Sequence, residues 1–303
     1  MVEKQLRSIR SWLAERLLSR LSNKKIYSDE KLFRKHFRVK QTERDYVLPR
    51  FLMKRYRIAK QQFQGMDCYI FNHKKSSSTK TILYLHGGAY VNPPLVFHWM
   101  FLGKIAKKTG AAIYVPIYPK APNHQYQDSF SKVLPLYKEL LAAKTNNDII
   151  LMGDSAGGGF ALALAQLLLE KKLAQPQHII LLSPWLDMTL SHPGINKYEK
   201  LDPMLGVHGL IQIGKVYAGE TDTSHYLLSP INGKLKGLGE LTLFIGTHEL
   251  LLPDARKLKS LTDSQGIKMN YFEYPKMNHV FPLYPIPEAK EAVKKIVDML
   301  NDG

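Results

Sequence analysis

The chain holds one cysteine, Cys68, among its 303 residues. One thiol excludes an internal disulfide framework and is too little for a zinc–thiolate site, although His and carboxylate metal sites stay open on that count. A lone cysteine is read as a small buried hydrophobe rather than a nucleophile. No run approaches the roughly 18 apolar residues that a membrane-crossing helix requires. There is no internal repeat and no Gly/Ser- or Pro-rich linker. The first 25 residues lack the uninterrupted apolar stretch of a secretory signal, so the expected location is the cytoplasm. Acidic residues are scarce beside basic ones, 26 against 43, for a formal net charge of +17. The remaining composition, 45% hydrophobic and 23% charged, is that of a globular chain and excludes disorder for the chain as a whole.

The charge is uneven. Residues 1–60 carry eighteen Lys/Arg and six Asp/Glu, so most of the surplus lies in the first fifth of the chain. Within it, Leu6, Ile9, Leu13, Leu17 and Leu21 recur at spacings of three and four, with Trp12 beside them. This is an amphipathic helix pattern. It has two readings: a helix that docks its stripe on the protein's own body, the reading preferred here, or an interfacial helix on anionic lipid. Tyr27, Phe33, Phe37 and Tyr46 interleave with the basic residues, but no nucleic-acid-binding motif accompanies them, so no nucleic-acid partner is expected.

From residue 56 onward, short apolar runs alternate with helical patterns. Strands are expected at Tyr69–Phe71 (an edge strand), Thr81–Leu85, Ala112–Ile117, Asp148–Met152, Ile179–Leu182, Leu241–Ile245 and Met269–Tyr274. Helices are expected at Phe97–Lys108, Gln127–Lys144, Ala156–Lys172, Asp254–Ser264 and Pro287–Leu300, and Lys74–Lys80 reads as a polar connection. Alternation of this kind over some 230 residues implies an α/β fold, with a mainly parallel sheet covered by helices on both faces. Residues 186–232 interrupt it, with a helical piece near Val207–Tyr217. A connection of that length suggests part of a cap, to which the basic helical segment 1–55 contributes. The domain division is thus 1–55 and 56–303, with the cap insertion at about 186–232.

The sharpest motif is Gly153-Asp154-Ser155-Ala156-Gly157, which matches G-x-S-x-G between an apolar strand and an Ala/Leu helix. That setting is a nucleophile elbow, with Ser155 on a strained turn and a helix N-terminus aimed at developing negative charge. A second motif, His86-Gly87-Gly88-Ala89-Tyr90, follows the strand at 81–85 and supplies backbone N–H donors. The oxyanion-hole candidates are Gly87, Gly88 and Ala156, with His86 in a structural role. A serine nucleophile needs a base and the base an orienting acid, in the chain order Ser, acid, His. Of His178, His192, His208, His225, His248 and His279, only His279 follows the last strand and precedes the final helix. The acid belongs in the loop after the preceding strand, which offers Glu249 and Asp254. Glu249, at the strand end, is the preferred acid, and Asp254 is the alternative.

These motifs, H-G-G-A-Y at 86–90, L-S-P-W-L-D at 182–187, G-D-S-A-G-G at 153–158 and H-V-F at 279–281, resemble the hormone-sensitive-lipase-like family of α/β-hydrolase esterases over roughly residues 65–300. The resemblance implies an α/β-hydrolase fold, carboxylic-ester hydrolysis, no metal or cofactor and a mostly helical cap. It also implies a preference for short acyl chains, acetyl to butyryl, with deacetylation of a small metabolite or sugar as one form. The chain departs from the family pattern where Glu249 stands for the usual Asp, Gly159 for a common Asn, and Tyr118-Pro119-Lys120-Ala121-Pro122-Asn123 for the usual Y-R-L-A-P-E. The alternatives are a membrane-associated lipase of longer acyl esters, held by the basic N-terminus, and a catalytically silent hydrolase-fold binding protein. Aromatic Phe97, Trp99 and Phe101 have two readings, as pocket lining or as core.

Overall fold

A computed structural model describes residues 7–21, 24, 29–41, 46–73, 78, 80–143 and 148–302. Leu6 of the apolar stripe, Tyr27, Lys144 and most of the polar connection at 74–80 lie outside the described residues.

Eight strands form one sheet: β1 Ala59–Phe63, β2 Met66–Phe71, β3 Thr81–Leu85, β4 Ala112–Pro116, β5 Ile149–Asp154, β6 His178–Leu182, β7 Glu240–His248 and β8 Met269–Asn278, in the order β1-β2-β4-β3-β5-β6-β7-β8. Strands β3 through β8 run parallel, and β1 and β2 are antiparallel additions at one side. Among the described residues are ten helices: α1 Ile9–Leu21, α2 Glu30–Gln41, α3 Arg50–Tyr56, α4 Val96–Thr109, α5 Tyr126–Ala143, α6 Ala156–Glu170, α7 Ile195–Leu201, α8 Val207–Ala218, α9 Leu252–Ser264 and α10 Pro287–Asp302. This is the α/β-hydrolase fold.

The central strands β3, β5 and β6 are buried at every position, which is why they read as unbroken apolar runs. Their side chains divide alternately between two cores. Leu83, Leu85, Leu151, Ile179 and Leu181 meet α5, α6 and α9 on one face. Ile82, Tyr84, Ile150, Met152, Ile180 and Leu182 meet α4 and α10 on the other. Helix α6 lies under the middle of the sheet, and Ala156 through Leu168 are all buried. Its Ala- and Leu-rich composition follows from that position, since a helix enclosed on all sides is apolar all round. Trp99 and Phe101 belong to the core: Trp99 is fully buried and stacks against Tyr46 and Phe71, with Tyr69 edge-on. Phe97 is half-buried against Tyr284. Cys68 is buried in β2, and burial pushes its thiol up.

Two expectations are corrected. The strand at Tyr69–Phe71 is not at the edge: β2 sits between β4 and β1. Strand β1 (A-K-Q-Q-F) escapes a hydrophobic pattern because Lys60 and Gln62 face water, as suits an edge. The stripe of the N-terminal helix does not dock on the body. Ile9, Leu13 and Leu17 of α1 face outward, while Ser8, Ser11 and Glu15 face inward. The polar contacts prevail: Glu288 at the start of α10 accepts hydrogen bonds from the Ser8 N–H (2.7 Å) and hydroxyl (3.0 Å) and the Ser11 hydroxyl (3.2 Å). Residues 186–232 contain α7 and α8, and His208 of α8 meets Glu30 of α2 at 2.9 Å with Phe33 edge-on to its ring.

Removal of a fully buried tryptophan ring tests this packing. Trp99→Ala is expected to lower unfolding free energy by about 3–5 kcal/mol, read from a shifted urea midpoint at constant slope.

Candidate active site

The site lies at the carboxyl ends of β5, β7 and β8. Strand β5 ends at Asp154, and the chain turns at Ser155 into α6. Ser155 has φ +53° and ψ −124°, a conformation costly to a residue with a side chain, of order 1–3 kcal/mol. Backbone bonds fix it: its N–H donates to the Leu182 carbonyl (2.9 Å), and its carbonyl accepts from Trp185 (2.9 Å), Gly158 (3.0 Å) and Gly159 (3.1 Å). The turn is so close that a Cβ at Gly157 would overlap the carbonyl of Leu85, and one at Gly153 the carbonyl of Gly157. Other non-glycine residues with positive φ surround the same place, namely Ala89, Tyr90, Ser183 and Val280.

Ser155 and His279 are hydrogen-bonded, Oγ to Nε2, at 2.8 Å, and His279 Nδ1 lies 2.8 Å from Glu249 Oε2. A carboxylate only accepts, so Nδ1 carries the proton and Nε2 accepts from the serine hydroxyl. Ser155 is 9% exposed, His279 3% and Glu249 0%. The hydroxyl is less open than the elbow motif alone leads one to expect, because the imidazole sits against it. Burial works to lower the His279 pKa, but the hydrogen bond and charge of Glu249, followed by the charges of Asp202 and Asp154, outweigh it and raise the imidazole above its ordinary value.

Glu249 is held by residues that motif reading passes over. Its Oε1 accepts from the Ser183 hydroxyl (2.8 Å) and the Gly246 N–H (2.7 Å). Ser183 Oγ in turn accepts from the Val280 N–H at 3.1 Å, so acid loop and histidine loop share one hydroxyl. Asp202 accepts from the N–H groups of Met204 (2.7 Å), Leu205 (2.9 Å) and Leu250 (2.7 Å), which pins the segment after Glu249. Asp254, the alternative acid, is not brought to His279. It is buried at the start of α9 with Oδ2 unpartnered among the described residues, and burial and then the charge of Asp187 raise its pKa to about 7. Of the remaining candidate bases, His178 bonds Thr242, His208 bonds Glu30 and His248 bonds Glu15, all away from Ser155.

The oxyanion loop differs from expectation at one residue. The N–H of Gly87 donates to Asp154 Oδ1 at 2.8 Å and is therefore not available to a ligand. Among the described residues, the N–H groups of Gly88, Ala89 and Ala156 have no protein acceptor. Gly88 has φ +118°, and a Cβ there would stand 2.5 Å from the Asn92 carbonyl oxygen, so only glycine fits this bend. His86 is fully buried, with Nδ1 2.6 Å from the Gly87 carbonyl oxygen and its ring stacked on Tyr118; burial, then the charge of Lys120, pushes its pKa down to about 3. A signal for Asp154 was present in the motif itself, as the residue before the serine. Ser183 lies in L-S-P-W-L-D, but neither spacing nor composition shows that it reaches Glu249.

No cluster of three or more His, Cys, Asp or Glu among the described residues is arranged to hold a metal.

Comparison with known proteins agrees with this architecture. Residues 82–283 match the family described as alpha/beta hydrolase fold. An esterase of Acinetobacter venetianus is 29% identical over 237 residues, 74% of this chain and 75% of the relative. An acetyl-hydrolase of Streptomyces hygroscopicus is 29% identical over 218 residues, 71% and 73% of the two chains. A hormone-sensitive lipase from a metagenome library, known by its crystal structure, superposes with a TM-score of 0.76 at 25% identity, over 90% of this chain and 98% of its own.

The two carboxyls near the acid loop separate by mutation. Glu249→Gln is expected to lower kcat by about 10³–10⁴, since the amide disturbs the imidazole tautomer and charge. Asp254→Asn is expected to keep kcat within a few-fold. The raised pKa of Asp254 means that the native state holds this proton more tightly than the unfolded chain. Its contribution to stability is therefore present at low pH and lost as pH rises toward about 7 and beyond. Urea titrations of wild type and Asp254→Asn at pH 5 and 8 check the sign: the variant gains relative to wild type at pH 8.

Proposed function

The chain belongs to the alpha/beta hydrolase fold family, among its hormone-sensitive-lipase-like carboxylic-ester hydrolases, and from that premise we propose that it is a serine esterase of short-chain acyl esters, working through Ser155, His279 and Glu249. The observation that carries this reading is the unbroken line of hydrogen bonds from the serine hydroxyl to the buried carboxylate, each 2.8 Å, beside N–H groups that have no protein acceptor.

In the proposed reaction, Ser155 Oγ attacks the ester carbonyl carbon while His279 Nε2 takes the hydroxyl proton. The carbonyl oxygen becomes an oxyanion and is met by the N–H groups of Gly88 and Ala156, with that of Ala89 standing in for Gly87. Removing one such donor typically costs about 3–4 kcal/mol of barrier. Collapse breaks the bond to the alcohol, which leaves with the proton from His279. Water then attacks the acyl-enzyme, His279 takes its proton, and the acid is released as Ser155 recovers its hydrogen. Glu249 keeps Nδ1 protonated and balances the imidazolium that forms twice per cycle.

Support for the short acyl chain comes from the acetyl-hydrolase name of a relative. Trp99 and Phe101 do not enter the argument, because both are core residues. We read α7 and α8 together with the N-terminal segment as the cap, a reading supported by the contact of His208 with Glu30 and by Phe33 against His208.

Hydrolysis of p-nitrophenyl esters of two to twelve carbons tests the proposal. Wild type is expected to prefer two to four carbons. Ser155→Ala is expected to fold with an unchanged thermal midpoint and to lose turnover. Activity retained in that variant refutes the nucleophile, and a preference for long chains refutes the substrate class. The protonated imidazole cannot accept the serine proton, and the His279 pKa is raised. Activity is therefore full above that pKa and falls as pH drops through it, with a midpoint above the ordinary histidine value of about 6.5. A rate that stays flat down to about pH 4 removes His279 from the role.

A further inference from the structure

A helix on the surface of a folded protein ordinarily turns its apolar side in and its charged side out. Helix α1 is inverted. Its inward side is held by polar contacts: Ser8 and Ser11 donate to Glu288, Arg7 pairs with Glu15 at 2.8 Å, and Glu15 meets His248 at 3.1 Å. Ala14 and Leu18 add the apolar part of the attachment. Its outward side carries Ile9 (78% exposed), Trp12 (42%), Leu13 (53%) and Leu17 (58%). At 100° per residue these four fall within one arc, with exposed Arg16 and Arg20 inside it and exposed Arg10 just beyond its edge. The guanidinium of Arg16 lies over the Trp12 ring, 4.3 Å from its centre.

An apolar stripe interleaved with arginines suits one kind of surface. A second folded protein would have to bury three guanidinium groups with partners for each. A lipid interface accepts both components at once: the apolar side chains enter the acyl boundary and the long arginine stems let their charged ends reach headgroup phosphates. The charge of the region selects anionic lipid, because the first sixty residues carry eighteen basic and six acidic groups. Helix α1 is also fixed close to the site already described. His248, which holds Glu15, precedes Glu249, and Glu288, which holds Ser8 and Ser11, opens the helix after the His279 loop. Leu95 (56% exposed) precedes and Val96 (45%) begins α4, which packs on α10 as α1 does.

We propose that α1 is an interfacial helix that seats this protein on an anionic lipid surface through Ile9, Trp12, Leu13 and Leu17, with Arg10, Arg16 and Arg20 engaging the headgroups. The proposal goes beyond the esterase reading and does not rest on it. Lipid binding is read without substrate.

The test is flotation of the full chain with phosphatidylcholine vesicles, with and without phosphatidylglycerol, at low and high salt. Binding is expected only with phosphatidylglycerol and is expected to weaken with salt. Leu13→Ser with Leu17→Ser is expected to reduce partitioning at least about tenfold, at ~1.5–3 kcal/mol per fully buried leucine. Arg10→Glu with Arg16→Glu and Arg20→Glu is expected to reduce it on the order of a hundredfold, at ~1 kcal/mol per basic residue near the surface. The thermal midpoint is expected to stay within a few degrees of wild type in both variants, which shows that the body is intact. Absence of wild-type binding, binding that does not depend on phosphatidylglycerol, or variants that float as wild type does each overturn the proposal. So does a wild-type dimer that ignores vesicles and dissociates in the Leu13/Leu17 variant, since the face then belongs to a second copy of the chain.

Discussion

Asp154 is 1% exposed, yet its carboxyl takes hydrogen bonds from three elements: Tyr84 Oη on β3 at 2.6 Å, Gly87 N–H in the oxyanion loop at 2.8 Å and His98 Nε2 on α4 at 3.2 Å. Burial alone would raise its pKa, but His98, Tyr84 and Gly87 outweigh burial and lower it, so an anion is kept in a dry place. A buried anion with any of these partners missing would cost several kcal/mol, which makes the three bonds mutually dependent. Asp154 also precedes Ser155. The position of the loop that supplies Gly88 is thereby referred to the position of the serine through one side chain. The sheet makes this geometry available: β3 and β5 are neighbours, with Leu85 paired to Gly153, so the two loops that leave their ends are adjacent from the start.

Much of this was legible in the sequence because the strands concerned are buried on both faces. Thr81–Leu85 has the same bounds in expectation and structure, and β5, β6 and α6 agree within a residue or two. The edge was not legible. Lys60, Gln61 and Gln62 form β1 by pairing with β2, and an edge strand's stability comes from its neighbour rather than from its own pattern. Helix α1 shows a deeper limit. Its period was correct, but periodicity identifies the apolar side and does not say which side meets the body. That was decided by Glu288, some 280 residues away in sequence. The hydrogen bond from Gly87 to Asp154 belongs to the same class: two residues of recognised motifs use each other, and one expected donor is lost to the ligand.

The acid position shows how a departure from the family pattern can be accommodated. Glutamate in place of aspartate adds one methylene and one torsion between backbone and carboxylate, so the oxygen facing histidine is less well placed unless other bonds hold it. Ser183 and Gly246 take Oε1 and leave Oε2 for His279 Nδ1. Ser183 has φ +46° and Val280 φ +51°, and the Ser183 hydroxyl accepts from the Val280 N–H while donating to Glu249. Strain of this kind persists only where surrounding contacts over-determine it. Here the contacts in question are those that would position a longer acid.

The same arrangement sets the electrostatics around His279. Burial disfavours a charged imidazole, and Glu249 alone would have to offset that penalty in a neutral pocket. The charges of Asp202 and Asp154 act in the same direction as Glu249, although burial raises the Asp202 carboxyl itself above its ordinary value. Asp202 is held by three backbone N–H groups beside Glu249, and Asp154 by the oxyanion loop and α4, so each has a structural reason for its place apart from histidine. In the proposed reaction their fields would act at the same time on the imidazolium formed when Ser155 gives up its proton. Two carboxyls that organise loops therefore also favour the charge separation the proposed chemistry needs. The consequence is an imidazole held above its ordinary pKa, which, in the proposed reaction, would tie the acid limb of activity to the loops' hydrogen bonds and not to the Glu249 pair alone.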